Sequence, residues 1–199
     1  MPYIQRAMER TFKRLASEFP AILVTGPRQT GKTTMLEKLM REENIGRNYV
    51  SLDDLSDREI AKNDPKMFFQ INKPPVFIDE VQYAPELFPY IKIHIDKKHN
   101  AGDFWLTGSQ IFRLMRGVQE SLAGRVCLLN MQPLSQSEIG GWQTEPFKLD
   151  FDKLADRAKT VRAVDVNELY ERIFNGGMPA LISKKYTDRL SVGQGQYYV

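Results

Sequence analysis

The sequence predicts a parallel α/β fold, and three observations carry that prediction. Short apolar runs recur: AILVT at 21–25, YVSL at 49–52, PPVFID at 74–79, DFWLTGS at 103–109 and RVCLLN at 125–130. Their length and composition suit strands, and AILVT, a continuous apolar run, suits one buried on both faces. Helix-length stretches separate them, the alternation that a parallel sheet with crossover connections requires. A glycine-bearing turn, GPRQTGKTT, leaves the first run and enters a helix-forming segment.

Each element has its own reason. Residues 4–18 read as an amphipathic helix, because Ile4, Met8, Phe12 and Leu15 recur at helical spacing. Arg6, Arg10, Lys13 and Arg14 lie largely off that stripe. They form either a solvated face or a basic patch for an acidic partner. After the glycine turn a helix is expected to about residue 43. The second strand runs into Asp53 and Asp54, which act as a turn or cap or join a site at the sheet edge. A polar, helical stretch follows to about residue 70. Pro74 and Pro75 stand at the entrance of the third strand, where they remove no ladder bonds. The segment 85–99 reads as a helix with Leu87, Ile91 and Ile95 on one face and Pro89 at a kink or in the first turn. A boundary is expected near SEIGGWQTEPF at 137–147, giving a core over 1–140 and a linker with a small helical module over 141–199. In that module, Asp165 and Glu168 have capping-box spacing, and Gly176 is placed to stop the helix.

Composition narrows the function classes. The chain has 199 residues, enough for one full domain and part of another. Hydrophobic residues make up 42% and charged residues 27%, as in ordinary globular proteins. No apolar stretch approaches the roughly 20 residues of a membrane span, and MPYIQRAMERTFKRL lacks the apolar core of a signal peptide. The expectation is a cytoplasmic protein with no membrane partner. One cysteine, Cys127, builds no disulfide framework, and with two histidines it falls short of a structural zinc site. His94 and His99 read as helix-face residues. A net charge of +3 is too mild to argue for nucleic acid.

The chemistry sits at strand ends. GPRQTGKT at 26–33 matches G-x-x-x-x-G-K-[ST] between a strand and a helix, the context the motif needs. Gly26, Pro27, Arg28, Gln29, Thr30, Gly31, Lys32, Thr33 and Thr34 are therefore the expected nucleotide-binding residues. The backbone wraps phosphate oxygens, Lys32 brings positive charge to the β- and γ-phosphates, and the Thr33 hydroxyl ligates Mg2+. The ligands implied are ATP and Mg2+. Asp79 ends an apolar strand, as a Walker B acid does, and is the second expected metal residue. Glu80 follows it directly. A kinase has no evident need for a second acid there, whereas ATP hydrolysis needs a group that orients water. With the sheet ordered 5-1-4-3-2, LTGSQ at 106–110 ends between the phosphate loop and Asp79. Either Thr107 or Ser109 then reaches the γ-phosphate or the water, with Thr107 taken first. Arg125 precedes the fifth strand, at an element junction. It is either an arginine finger, which on a neighbour's nucleotide requires a homo-oligomer, or one half of a structural salt bridge. Arg113 and Arg116 are weaker candidates.

In combination, GPRQTGKT, SLDD, FIDEVQYAPELFPYIK, LTGS, SLAGR followed by QPLSQSE, and NGGMP resemble a family of prokaryotic AAA+-type ATPases over roughly residues 3–180. The resemblance implies a P-loop NTPase core of the AAA+ (ASCE-like) type, with sheet order 5-1-4-3-2 and a helical lid after it. It implies Walker A at 26–33, Walker B at Asp79 and Glu80, sensor 1 near Thr107 and Ser109, and a finger at Arg125. No sensor-2 arginine stands out in the lid. Tyr3 and Ile4 resemble the segment packing near adenine. Family members usually continue into a further C-terminal domain, so an N-terminal fragment is expected. The leading functional expectation is Mg2+-dependent ATP hydrolysis coupled to conformational change in an attached domain or partner. The alternative is a low-turnover switch that docks DNA or a protein, through the basic helix or the further domain.

Overall fold

The computed structural model describes residues 3–109, 122–142, 149–160 and 164–182. Arg113, Arg116, Ser121, Pro146 and the final DRLSVGQGQYYV lie outside the described residues. The chain divides into two compact units, Arg6–Gln132 and a second made of Met1–Gln5 with Pro133–Val199.

The first unit holds the expected sheet. Strands β1 (Ala21–Thr25), β2 (Asn48–Ser51), β3 (Val76–Asp79), β4 (Phe104–Gly108) and β5 (Val126–Asn130) pair in the order β2-β3-β4-β1-β5. Every pairing is parallel. This is the 5-1-4-3-2 arrangement read from the other edge.

Alternation along the three central strands, β1, β3 and β4, buries both faces, while the edge strands β2 and β5 stay partly exposed. Ala21, Leu23, Val76, Ile78, Phe104 and Leu106 face one apolar layer. That layer is completed by α3 (Leu55–Asn63), α4 (Pro65–Ile71) and α5 (Phe88–Lys98) through Ala61, Phe68, Phe88, Ile91 and Ile95. Ile22, Val24, Phe77 and Trp105 face the other layer. There α1 (Met8–Ala16) and α2 (Lys32–Glu43) contribute Phe12, Met35, Leu36 and Leu39.

Local chemistry sets the element ends. The first helix begins at Met8, later than the periodicity predicts, and Arg6 lies before it, buried. Asp54 caps α3 by accepting from the amides of Ser56 and Asp57, which settles its place as a cap. The segment 85–99 opens with a 3-10 turn at Pro85–Leu87, and Pro89 sits in the first turn of α5, where its missing N–H costs nothing. His94 is a partner as well as a face residue: its Nε2 lies 2.7 Å from an Asp103 carboxylate oxygen. Cys127 is half-buried on β5, and burial pushes its thiol up.

The second unit is helical among its described residues: α6 (Gln136–Gly140), α7 (Phe151–Thr160), α8 (Val166–Asn175) and α9 (Pro179–Ile182). Helix α6 has a full capping box from Ser135 and Glu138 and occupies part of the stretch read as a composition break. Asp165 caps α8 alone, while Glu168 pairs with Arg172 at 2.5 Å.

Phe12 is fully buried and meets Trp105 edge-on, ring centroids 4.8 Å apart. Phe12→Ala is expected to destabilise the first unit by about 3–5 kcal/mol in denaturant unfolding, through lost apolar burial and the cavity left behind.

Candidate active site

The phosphate loop is shaped by close packing and by one buried arginine. Gly26 has φ +138°, and a Cβ built there would lie 2.1 Å from the Met131 carbonyl oxygen. Only glycine fits. Gln29 and Gly31 also take positive φ, which turns the chain into α2 at Lys32. The buried Thr30 hydroxyl donates to the Pro27 carbonyl at 3.0 Å, across the loop. Arg6 Nη1 donates to the Thr30 carbonyl at 2.7 Å, and Nη2 to the Gln132 carbonyl at 2.6 Å. Arg6 is therefore a strut of the loop and no part of a solvated basic face. Sequence reasoning missed this role, because Arg6 reads as one more cation off the apolar stripe, although it lies ahead of the helix that begins at Met8. Lys13 is engaged too, with Glu42 at 2.8 Å.

Pro27, Arg28, Gln29 and Thr34 are exposed, while Lys32 is buried. The Lys32 ammonium donates to the carbonyls of Gly26 and Pro27 at 3.1 and 2.8 Å. Burial pushes its pKa down, against the pull of the Glu80 and Asp79 carboxylates.

Strand register brings the other groups to the same edge. Asp79 ends β3, opposite Ser51, and Thr107 lies on β4, opposite Val24. The Thr33 hydroxyl donates to Asp79 Oδ1 at 2.9 Å, and the Thr107 hydroxyl donates to the same oxygen. Asp79 is 6% exposed. Burial pushes its pKa up; the two hydroxyl bonds oppose that shift, and Glu80 and Asp53 reinforce it. Glu80 takes a left-handed backbone, φ 54°, which costs a non-glycine residue roughly 1–2 kcal/mol. Its amide donates to Thr107 Oγ at 3.1 Å. Its Oε2 accepts from Ser109 Oγ at 3.1 Å and from Gln82 Nε2. Thr107 thus bridges the two acids through Asp79's side chain and Glu80's backbone, whereas Ser109 holds Glu80's side chain.

Arg125 stands apart from this cluster. It precedes Val126, which pairs with Ala21 at the start of β1, so it lies at the strand edge opposite the loop. Its guanidinium forms a fork to Asp96, at 2.5 and 3.1 Å. Asp53 is exposed and only loosely approached by Arg58, at 3.8 Å. Tyr3 and Ile4 belong to the second unit.

The donor set fits a hard divalent cation. Thr33 and Asp79 present oxygens 2.9 Å apart, and the Asp79 carboxylate is largely desolvated. Among the described residues no group of three or more His, Cys, Asp or Glu is gathered for a metal. Mg2+ needs no such cage, since water and phosphate oxygens supply most of its ligands.

Comparison with known proteins gives the family and the fold. A family model described as AAA domain matches residues 18–140, more than half of the chain. An uncharacterized protein of Mycobacterium tuberculosis and one of Mycobacterium bovis are each 31% identical over 128 residues. Those matches cover 64% of this chain and 28% of each relative, so the chain spans just over a quarter of their length. Among solved structures, the fold resembles a Walker-type ATPase of Pyrococcus abyssi, with 16% identity, TM-score 0.57, and 90% and 66% of the two chains covered. It resembles AMPPCP-bound DnaA from Aquifex aeolicus, with 16% identity, TM-score 0.52, and 96% and 60% covered. It also resembles the RuvB Holliday junction branch migration motor of Thermotoga maritima, with 18% identity, TM-score 0.52, and 90% and 59% covered. At these identities the likeness concerns the fold, a P-loop NTPase sheet flanked by helices. Among the described residues, no helix is long and apolar enough to cross a membrane.

Asp79 also has a stability signature. Its folded pKa is raised, so the destabilisation it causes appears as pH rises through that value and vanishes below the unfolded value. Without divalent metal at pH 7, Asp79→Asn is expected to raise the melting temperature. The gap should close as the buffer is taken into the carboxylate range. Calorimetry across pH checks this, and an unchanged or lower melting temperature at pH 7 contradicts it.

Proposed function

The chain belongs to the AAA domain family, and on that premise we propose that it binds ATP with Mg2+ and hydrolyses it to ADP and phosphate. The observation supporting hydrolysis, beyond binding, is Glu80. Its carboxylate stands next to the metal-type carboxylate Asp79 and is held by side chains of its own.

In this reading the 26–33 backbone amides and the Lys32 ammonium take the β- and γ-phosphates, with the dipole of α2 adding favourable potential. Thr33 and Asp79 hold Mg2+, which when bound offsets charge on the phosphate oxygens. Glu80 accepts a hydrogen bond from the attacking water and aims its oxygen at the γ-phosphorus. A bond forms from that oxygen to phosphorus as the bond to the β–γ bridging oxygen breaks, and the water's proton passes towards Glu80. Thr107 keeps the two acids in register, and Ser109 orients Glu80.

Arg125 lies at the far strand edge from its own chain's loop. As a finger it therefore serves a neighbouring copy, which makes a homo-oligomer part of the proposal. Coupling of hydrolysis to movement of an attached domain or partner is the finer part. Loss of the γ-phosphate removes a ligand of Lys32, and Lys32 has carbonyl partners within its own loop to return to.

A steady-state phosphate-release assay tests the reading. Glu80→Gln is expected to lower the rate about 100-fold or more, the scale of a lost general base. Lys32→Ala is expected to abolish ATP binding at concentrations that saturate wild type. Equal rates for wild type and Glu80→Gln would remove Glu80 from the mechanism.

A further inference from the structure

Gln82 lies two residues past Glu80 in a 3-10 turn, Val81–Tyr83, among buried apolar residues. It is itself 5% exposed. Val81 and Ala84 on either side belong to the apolar layer under the sheet. A leucine or methionine would satisfy such a position at no polar cost, whereas a buried amide is costly unless bonded. The Gln82 amide is only half satisfied. Its Nε2 donates to Glu80 Oε2, while its Oε1 is buried and meets no donor among the described residues. An amide retained for stability would have both ends paired. The end that is used touches a single group, the Glu80 carboxylate.

That contact has a specific geometry. Oε2 takes both donors, from Gln82 and from Ser109. Glu80 Oε1 takes no hydrogen bond among the described residues. The backbone beneath is fixed as well, by the left-handed φ of Glu80 and the amide bond to Thr107. Two donors on one oxygen pin the carboxylate's rotation and leave the other oxygen's lone pairs for a water.

We propose that Gln82 is a positioning residue for ATP hydrolysis, acting with Ser109 to hold Oε2 of Glu80 so that Oε1 faces the attacking water. This rests on the ATPase reading above. It adds that Gln82 affects turnover through Glu80 alone and has no part in nucleotide binding. Misplacement of a reacting group by an ångström can cost about 100-fold in rate, so loss of one of two donors has room for a large effect.

A double-mutant cycle on the full chain tests it, with phosphate release for turnover and a fluorescent ATP analogue for affinity. Gln82→Met, close in volume, is expected to lower kcat about 10-fold or more with Kd within about twofold of wild type. In the Glu80→Gln background the same change is expected to cause no further loss, because residues acting as a unit are not additive. If Gln82→Met does not fold, Gln82→Glu replaces it, with the same expectation, since it sets an acceptor against Glu80. Unchanged kcat, or an equal fractional loss in both backgrounds, overturns the proposal while leaving the ATPase reading intact. A wild type that binds the nucleotide and releases no phosphate overturns the ATPase reading and this proposal with it.

Discussion

One buried carboxylate organises the site. Asp79 Oδ1 accepts two hydroxyl bonds, from Thr33 at the start of α2 and from Thr107 near the end of β4. Those bonds tie three elements together at the C-terminal edge of the sheet. A desolvated acid is an unfavourable thing to keep, and the raised pKa of Asp79 records that cost. The rest of the site is arranged around it. The loop's ammonium group, Lys32, lies within electrostatic reach, and Glu80 leaves the strand in a strained conformation that turns its side chain away to different partners. Backbone strain and buried charge concentrated at one strand edge are the pattern of a site whose geometry serves ligand chemistry at some expense of stability.

The loop is held from behind. Arg6 bonds the Thr30 and Gln132 carbonyls, and Gly26 packs against the Met131 backbone with no room for a side chain. A phosphate cradle needs amides aimed inward, and these contacts fix the loop's backbone from its outer side. The ordering cost is then met on folding, before a nucleotide binds.

The sheet was legible in the sequence because its signals are local: five apolar runs, helical spacers between them, and a phosphate-loop pattern at the first strand's exit. Both acids stood out at the exit of the third run, and the strand order came from the resemblance to AAA+-type ATPases. What was not legible depends on contacts distant in sequence. Arg6 looked like one cation of a solvated face, and only the fold sets it against Thr30 and Gln132. Arg125 carried both a finger and a salt-bridge reading, and the partner that fills the second is Asp96, 29 residues away. Thr107 and Ser109 were interchangeable by spacing. Ser109 lies just past the end of β4, and the fold sends the Thr107 hydroxyl to Asp79 and the Ser109 hydroxyl to Glu80. Helix α6 was hidden because its five residues are too few to show a period, although SQSE carries a capping box.

The central claim is that two adjacent acids have separate tasks, metal holding for Asp79 and water orientation for Glu80. Calorimetric titration of ATP into Asp79→Ala and Glu80→Gln, with and without Mg2+, tests it most directly. The account predicts that Asp79→Ala loses the Mg2+-dependent gain in ATP affinity, while Glu80→Gln keeps it in full. Equal loss in both variants, or in neither, would contradict the division of labour.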